Sequence, residues 1–149
     1  MDLLKLNFPE IEPKIKQIKS EWHIWDVCRK KYLLLTPEEW VRQHALHFLH
    51  SQLKYPFSLT KTESAHTLNK LRKRTDILIF NNKAEVVILV ECKAAEVKIN
   101  QKVVEQALVY NQTINAVFIY LTNGFQHIFL KKDEISSTYH QINHLPAYL

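Results

Sequence analysis

The spacing of apolar residues changes period several times along this chain, and each change marks an element. Val41, Ala45, Phe48, Leu49 and Leu53 recur at helical spacing and predict a helix over residues 36–53. Its start is strongly signalled. Thr36 suits the cap, Pro37 the first helical position, and Glu38 and Glu39 the positive end of the helix. Glu39 also stands three residues after the cap, the capping-box position. Val103, Val104, Ala107 and Leu108 predict a second helix over residues 99–111. Strands are predicted over 57–66, 73–80, 85–94, 115–122 and 125–131, with a tight turn at 81–84 and an Asn123-Gly124 hairpin turn before the last strand. Residues 23–27 and 31–35 read as a β-hairpin turning at 28–30. Residues 1–21, interrupted by Pro9 and Pro13, read as an irregular arm, and 140–149 carry no assignable pattern. Helix, three strands, helix, two strands describe a small α/β domain: a mixed central sheet flanked by helices, with an N-terminal β-hairpin. Arm and hairpin (1–35), core (36–132) and tail (133–149) are expected to form one domain, because no repeat or low-complexity linker divides them.

The turn at 81–84 decides which side chains share a face. With Asn82 and Lys83 in the turn, Asn81 faces Ala84 and Asp76 stands opposite Leu89. Opposed residues share a face and side chains alternate, so Asp76, Leu89, Glu91 and Lys93 point to one side. A slip of one residue would destroy this arrangement. Val86, Ile88, Val90 and Cys92 face the other way, while Val87 and Leu89 join the Asp76 side, so the strand is apolar on both faces, as a central strand is. Three ionisable groups at one end of such a strand are costly unless they are paired or bound to metal. Asp76 and Glu91 repel one another until a cation arrives, and a hard divalent ion takes carboxylate, carbonyl and water oxygens. Such an ion makes bound water a better nucleophile and offsets charge on a phosphate. Lys93 would orient or deprotonate that water, or steady the charge. From the spacing alone, a plain ion pair of Lys93 with Glu91 or Asp76 explains these residues at least as well.

Composition narrows the classes. Gly124 is the only glycine, which excludes Gly-rich phosphate loops and dinucleotide fingerprints. A net charge of +5 mildly favours a polyanionic partner. Two cysteines are too few for a disulfide framework or a zinc cluster, and the first residues carry no leader signature, so a cytoplasmic location is expected. Lys70, Arg72 and Arg74 alternate in step with Asp76 and would form a phosphate track, the plain alternative being a solvated strand entry. His44 and His47 lie with Trp40 on the side of the helix away from the core, and suit a face meeting the arm or a partner better than a zinc site. Trp22, Trp25 and Tyr32 read as packing residues, against Trp40, and the Cys92 side chain as a small core filler.

The run Arg74-Thr75-Asp76-Ile77-Leu78-Ile79-Phe80, followed by Val90-Glu91-Cys92-Lys93-Ala94, resembles the D…ExK signature of PD-(D/E)XK nucleases. Gln106-Ala107-Leu108-Val109-Tyr110 resembles the QxxxY motif of their RecB-like branch. Together with residues 36–43 and Leu121-Thr122-Asn123-Gly124, these motifs are similar to the N-terminal nuclease domain of type I restriction enzyme R subunits, over residues 36–130. The resemblance implies a restriction-endonuclease-like core that hydrolyses DNA with Mg²⁺ or Mn²⁺, in restriction, defence or DNA processing. It implies Asp76 and Glu91 as metal ligands, the Cys92 backbone carbonyl as a third, and Lys93 as the catalytic lysine. Gln106 and Tyr110, four apart on one helix ridge, would face the site and position substrate or catalytic groups. A glutamate early in the first helix often completes the metal site in this superfamily. Glu38, sharing a face with Val41, Ala45 and Leu49, is preferred over Glu39. Lys54 and Asn81-Asn82 stand where relatives tend to carry glycine. No helicase motor, methylase or target-recognition domain is read, so a partner protein is expected to supply these, and a homodimer is the simplest way to cut both strands of a duplex. The alternative is a nuclease-fold module that binds nucleic acid or a partner protein without cutting.

Overall fold

The computed structural model describes residues 3–68 and 71–149, and side chains outside 63–75. Strands β1 (Ile15–Ile18), β2 (Glu21–Asp26) and β3 (Lys31–Leu34) form an antiparallel sheet in that order. β2 and β3 are the expected hairpin. β1 lies in the stretch read as an irregular arm, and its half-buried ends around an exposed middle give no alternation to detect. The buried Asp26 carboxylate closes the β2–β3 turn, accepting from the N–H groups of Cys28 at 2.8 Å and Arg29 at 2.9 Å.

Helix α1 (Pro37–His47) starts as expected, with Thr36 Oγ1 accepting from Glu39 N at 3.0 Å. It runs into a wider turn over Phe48–Gln52, where Leu53 N bonds Phe48 O at 3.2 Å. Lys54 then reverses the chain at φ 69°, a backbone setting that favours glycine, as the resemblance implied for this position.

The main sheet has the order β4 (Thr60–Leu68), β5 (Leu71–Phe80), β6 (Val86–Cys92), β7 (Phe118–Thr122), β8 (His127–Lys132), β9 (Tyr139–Ile142). Every pair is antiparallel except β6–β7, which is parallel and joined through α2 (Gln101–Ile114). Asn100 caps α2 and Asn115, at φ 58°, ends it. The tail is part of the core fold: β9 adds an edge strand, Leu145 is buried, and Tyr55 Oη donates to Pro146 O at 2.7 Å.

The β5–β6 register differs from expectation in a way that preserves the faces at the strand end. The loop holds three residues, 82–84, because Asn81 N bonds Glu85 O at 2.9 Å and Ala84 takes the left-handed setting at φ 61°. A bulge between Ile79 and Phe80 then adds a second shift. Leu78 therefore pairs with Leu89 and Ile77 with Val90. One shift would have turned every side chain over, but two restore the original sides. Near the turn the expectation is overturned: Val86 packs with Leu78 and Leu89, and Val87 with the Ile88 cluster, because Val87 is the extra residue of the bulge.

Both faces of the sheet are covered. α1 sets Val41, Ala45, Leu46 and Leu49 on Ile77, Ile79, Ile88, Val90 and Cys92. On the other face Ala107 of α2 packs with Ile119 and Leu121, while Ala116 packs with Leu78 and Leu89. β6 is thus central and apolar on both sides, as expected. The N-terminal arm lies over α1. Trp40 Nε1 donates to Leu4 O at 2.8 Å, Asn7 N to Gly124 O at 2.7 Å, and the Phe8 ring meets His44, Phe48 and His127. His44 is consequently buried, with Nδ1 2.8 Å from Trp40 O, on the helix face that meets the arm. Trp25 packs edge-on against Tyr32 rather than Trp40, and Trp22 is exposed.

Candidate active site

The site forms where β5 leaves β6. Their ladder ends at Ile77 and Val90, whereas β6 continues beside β7 as far as Cys92 and Thr122. The next register step places Asp76 beside Glu91. The Asp76 carboxylate takes over as backbone acceptor, with Oδ2 receiving the Cys92 N–H at 2.6 Å. An aspartate at this point therefore caps an unfinished ladder and brings a charge against the Glu91-Cys92-Lys93 segment. Lys93 N donates to Thr122 O at 2.8 Å, which holds that segment from the other side.

The second oxygen, Asp76 Oδ1, accepts from Arg42 Nη2 at 2.9 Å. Arg42 was not singled out by the sequence reading. Its Nη1 pairs with Glu39, its Nη2 lies 3.5 Å from Glu38, and Glu39 also accepts from Gln43 Nε2 at 3.0 Å. Glu39, Arg42, Gln43 and Leu46 are all buried and share one ridge of α1, at spacings of three, four and seven residues. Glu39 turns in toward Arg42 and Gln43, while Glu38, the glutamate preferred for the metal site, is exposed at the rim of the site. The Glu39-x-x-Arg42-Gln43 spacing was the signal available for this cluster.

Burial dominates the electrostatics of Asp76 and pushes its pKa up to about 6, against the lowering effect of Arg42 and the Cys92 N–H. For Arg42, burial opposes the charge, but Asp76 and Glu39 outweigh it and keep the guanidinium protonated. Lys93 Nζ stands 3.2 Å from Glu91 Oε1. Partial burial lowers the Lys93 pKa, and Glu91 more than reverses that, so the net shift is upward and the amine is held as an ammonium. The Cys92 thiol is fully enclosed in the core, where burial pushes its pKa far up, in keeping with a filler.

The segment after Lys93 is tied to the β7–β8 turn. Asn123 Nδ2 donates to Val97 O at 2.9 Å, its Oδ1 accepts from the N–H groups of Phe125 at 2.9 Å and Gln126 at 2.7 Å, and Ile99 N donates to Gln126 Oε1 at 3.0 Å. The sequence reading used Asn123 as a turn signal and within the Leu121-Thr122-Asn123-Gly124 resemblance, and gave its side chain no bonding role. On α2, Gln106 is exposed and Tyr110 is buried. Lys70 lies outside the described residues. Arg72 and Arg74 lie on β5, and their side chains are outside the description.

The donors fit a hard divalent ion in kind: the Asp76 and Glu91 carboxylates, the Cys92 carbonyl between Glu91 and Lys93, and Glu38 at the rim. Among the described residues, no three His, Cys, Asp or Glu side chains are gathered into a metal-holding group. The two acids are instead each matched by a cation, Arg42 for Asp76 and Lys93 for Glu91.

The family model for the type I restriction enzyme R protein N terminus (HSDR_N) matches residues 37–146. The chain belongs to this family. The matched span includes α1, the Asp76–Glu91–Lys93 end of the sheet, α2 and β9. Among solved structures, the chain is similar to a fragment assigned as an HsdR subunit of a type I restriction enzyme from Vibrio vulnificus YJ016, with 18% identity and a TM-score of 0.52 over 76% of this chain. The chain spans 24% of that protein's length. It also matches a protein from Anabaena variabilis ATCC 29413, assigned as a nuclease of the DUF820 group, with 12% identity and a TM-score of 0.46, covering 92% of this chain and 80% of that one. No curated protein matches the chain. The Vibrio likeness shows a shared α/β fold and nothing finer. Among the described residues, no helix of this family member is long and apolar enough to cross a membrane.

Proposed function

We propose that this domain hydrolyses phosphodiester bonds of DNA with the help of Mg²⁺ or Mn²⁺, in restriction or related DNA processing. The observation that supports this reading most is the Asp76 carboxylate held at the end of the β5–β6 ladder, bonded to the backbone of the Glu91-Cys92-Lys93 segment. Asp76, Glu91 and the Cys92 carbonyl would hold the ion, with Glu38 available at the rim. When bound, the ion supplies an acidified water and offsets phosphate charge. Lys93, kept protonated beside Glu91, stabilises negative charge developing on the phosphate oxygens. Gln106 and Tyr110 position substrate or the reacting groups, and Lys70, Arg72 and Arg74 guide the DNA backbone to the site. Translocation and target recognition come from a partner protein, and a homodimer cuts both strands of a duplex.

The test is cleavage of supercoiled and linear DNA with Mg²⁺, Mn²⁺ or EDTA, alongside calorimetric metal titration, for the wild type and for Asp76→Ala, Glu91→Ala and Lys93→Ala. Metal-dependent cleavage lost in all three folded variants is expected. Full activity in Lys93→Ala would overturn the role given to that residue. The pairing of both acids with resident cations favours a second reading, a module that binds nucleic acid or a partner protein without cutting. Metal-independent DNA binding that survives Asp76→Ala, with no cleavage, is the result that sustains it.

A further inference from the structure

A cavity of about 200 Å³ lies between the N-terminal arm, β2 and α1, and neither Asp76, Glu91 nor Lys93 lines it. Ile24 and Gln43 are each 1% exposed and form its floor. Trp25, Val27 and His47 form its walls, while the exposed Glu12 and Lys14 stand at its mouth. Mouth and floor are fastened together, because Trp25 N donates to Lys14 O at 2.9 Å. The space is therefore preformed.

Gln43 gives the floor its chemistry. Its Nε2 donates to Glu39 Oε2 at 3.0 Å, one turn back on α1. A carboxylate oxygen accepts, so the amide cannot be turned round, and Oε1 is the end left for the cavity. Among the described residues, this buried oxygen has no hydrogen-bond partner. Leaving an amide oxygen buried and unpaired is costly, so Oε1 calls for an N–H or O–H donor. An ordered water needs about two to four polar partners, and the walls around Gln43 are mostly Ile24, Val27 and the Trp25 ring.

The same walls define what else the ligand must be. A charged group would leave water for an apolar floor with an amide as its partner, so the part that enters is neutral. His47 offers it no charge, because burial, and then His44 and His50, lower the pKa of that ring. The Trp25 ring, set edge-on against Tyr32, offers a flat wall on which a planar ring packs. The volume is below the roughly 300–1,000 Å³ of pockets for drug-sized molecules, which limits the ligand to one small ring system.

We propose that this cavity is a binding site of its own, for a small neutral aromatic ring whose N–H or O–H donates to Gln43 Oε1. It is independent of any metal at the acids and of cleavage.

The experiment is a titration of the full chain followed by amide nuclear magnetic resonance. The probes are indole, indole methylated on a ring carbon, and indole methylated on nitrogen. The two methylated probes match in size, but only the first keeps the N–H. The N–H probes are expected to shift the amides of 11–14, 24–27 and 43–47 and the side-chain amide of Gln43. The nitrogen-methylated probe is expected to bind at least about fivefold more weakly. Val27→Phe, which fills part of the cavity, should abolish these shifts. Gln43→Met, checked for folding by circular dichroism, should bind the two methylated probes alike. Equal affinity of the wild type for the two methylated probes overturns the proposal even if neither variant folds. Shifts gathered elsewhere overturn it too, as does a folded Gln43→Met that still favours the N–H probes. An absence of shifts up to the solubility of indole leaves the cavity to water and has the same consequence.

Discussion

Asp76 is expected to weaken the fold when it ionises, and replacing it with asparagine measures by how much. Burial lifts its pKa from 3.8 to about 6. Between those values the native protein keeps the proton while the unfolded chain has released it. Unfolding then releases a proton, so stability must fall as pH rises through that window. The stability is fully present below about pH 4 and lost above about pH 6. A shift of roughly two units at about 1.4 kcal/mol each gives a loss of ~3 kcal/mol. Asparagine cannot titrate and keeps one oxygen, enough for Arg42 or for the Cys92 N–H but not for both, so the lost bond adds an offset that does not change with pH. The quantity to follow is the stability of Asp76→Asn minus that of the wild type, from urea unfolding read by tryptophan fluorescence in EDTA between pH 4 and 7. The other titrating groups are shared, so they largely cancel in this difference. It should grow with pH by about 2–3 kcal/mol and level off near neutrality. A flat difference, or one that shrinks with pH, would refute the reasoning. It would mean that Arg42 at 2.9 Å and the Cys92 N–H at 2.6 Å together outweigh desolvation.

Two further perturbations probe the supports of the site. Asn123→Ala removes four bonds joining the β7–β8 turn to itself and to Val97, and should cost about 2–3 kcal/mol in urea unfolding. Faster amide exchange is expected at Phe125 and Gln126, and unchanged exchange there would contradict the assigned bonds. Gly124→Ala places a methyl group 2.8 Å from Leu6 Cδ2 at a backbone φ of +93°. The backbone strain alone should cost about 1–2 kcal/mol. Leu6→Ala in the same chain should recover the steric part of the loss but not the backbone part.

The β5–β6 ladder was legible as far as its faces because an even register shift leaves them unchanged. The hairpin loop holds one residue more than expected and a bulge adds another, so the ladder as far as Ile77 and Val90 keeps the predicted sides while Val86 and Val87 exchange places, and the Asp76 carboxylate beyond it reaches Arg42 on α1. Periodicity does not report bulges, and the agreement at the strand end depended on two errors cancelling. The edge strands β1 and β9 escaped notice for a different reason. Each shows half-buried ends around two exposed residues, so neither alternates. The α1 ridge of Glu39, Arg42 and Gln43 was hidden because charged residues beside an apolar stripe read as a solvated face. Here Glu39 accepts from both Arg42 and Gln43, which lets the three be buried together. Their spacings of three and four residues were visible, but the strand acid that completes the set lies 34 positions away.

The lone parallel pairing, β6 with β7, has a consequence for how such a domain can change over time. Parallel neighbours finish side by side, so the segment after Lys93 and the turn after Thr122 leave the sheet together and clasp each other through Asn123 and Gln126. The strands carrying the acids are fixed by core packing, and these two outgoing segments are joined to each other as well as to the core through Ile99 and to the N-terminal arm through Gly124. A lineage altering what reaches the acids could rebuild both segments without touching the sheet, but it could not rebuild one alone. Because Val97 and Ile99 offer backbone atoms to this clasp, their side chains are free to vary, whereas Asn123 and Gln126 are expected to be kept for as long as the two segments stay joined.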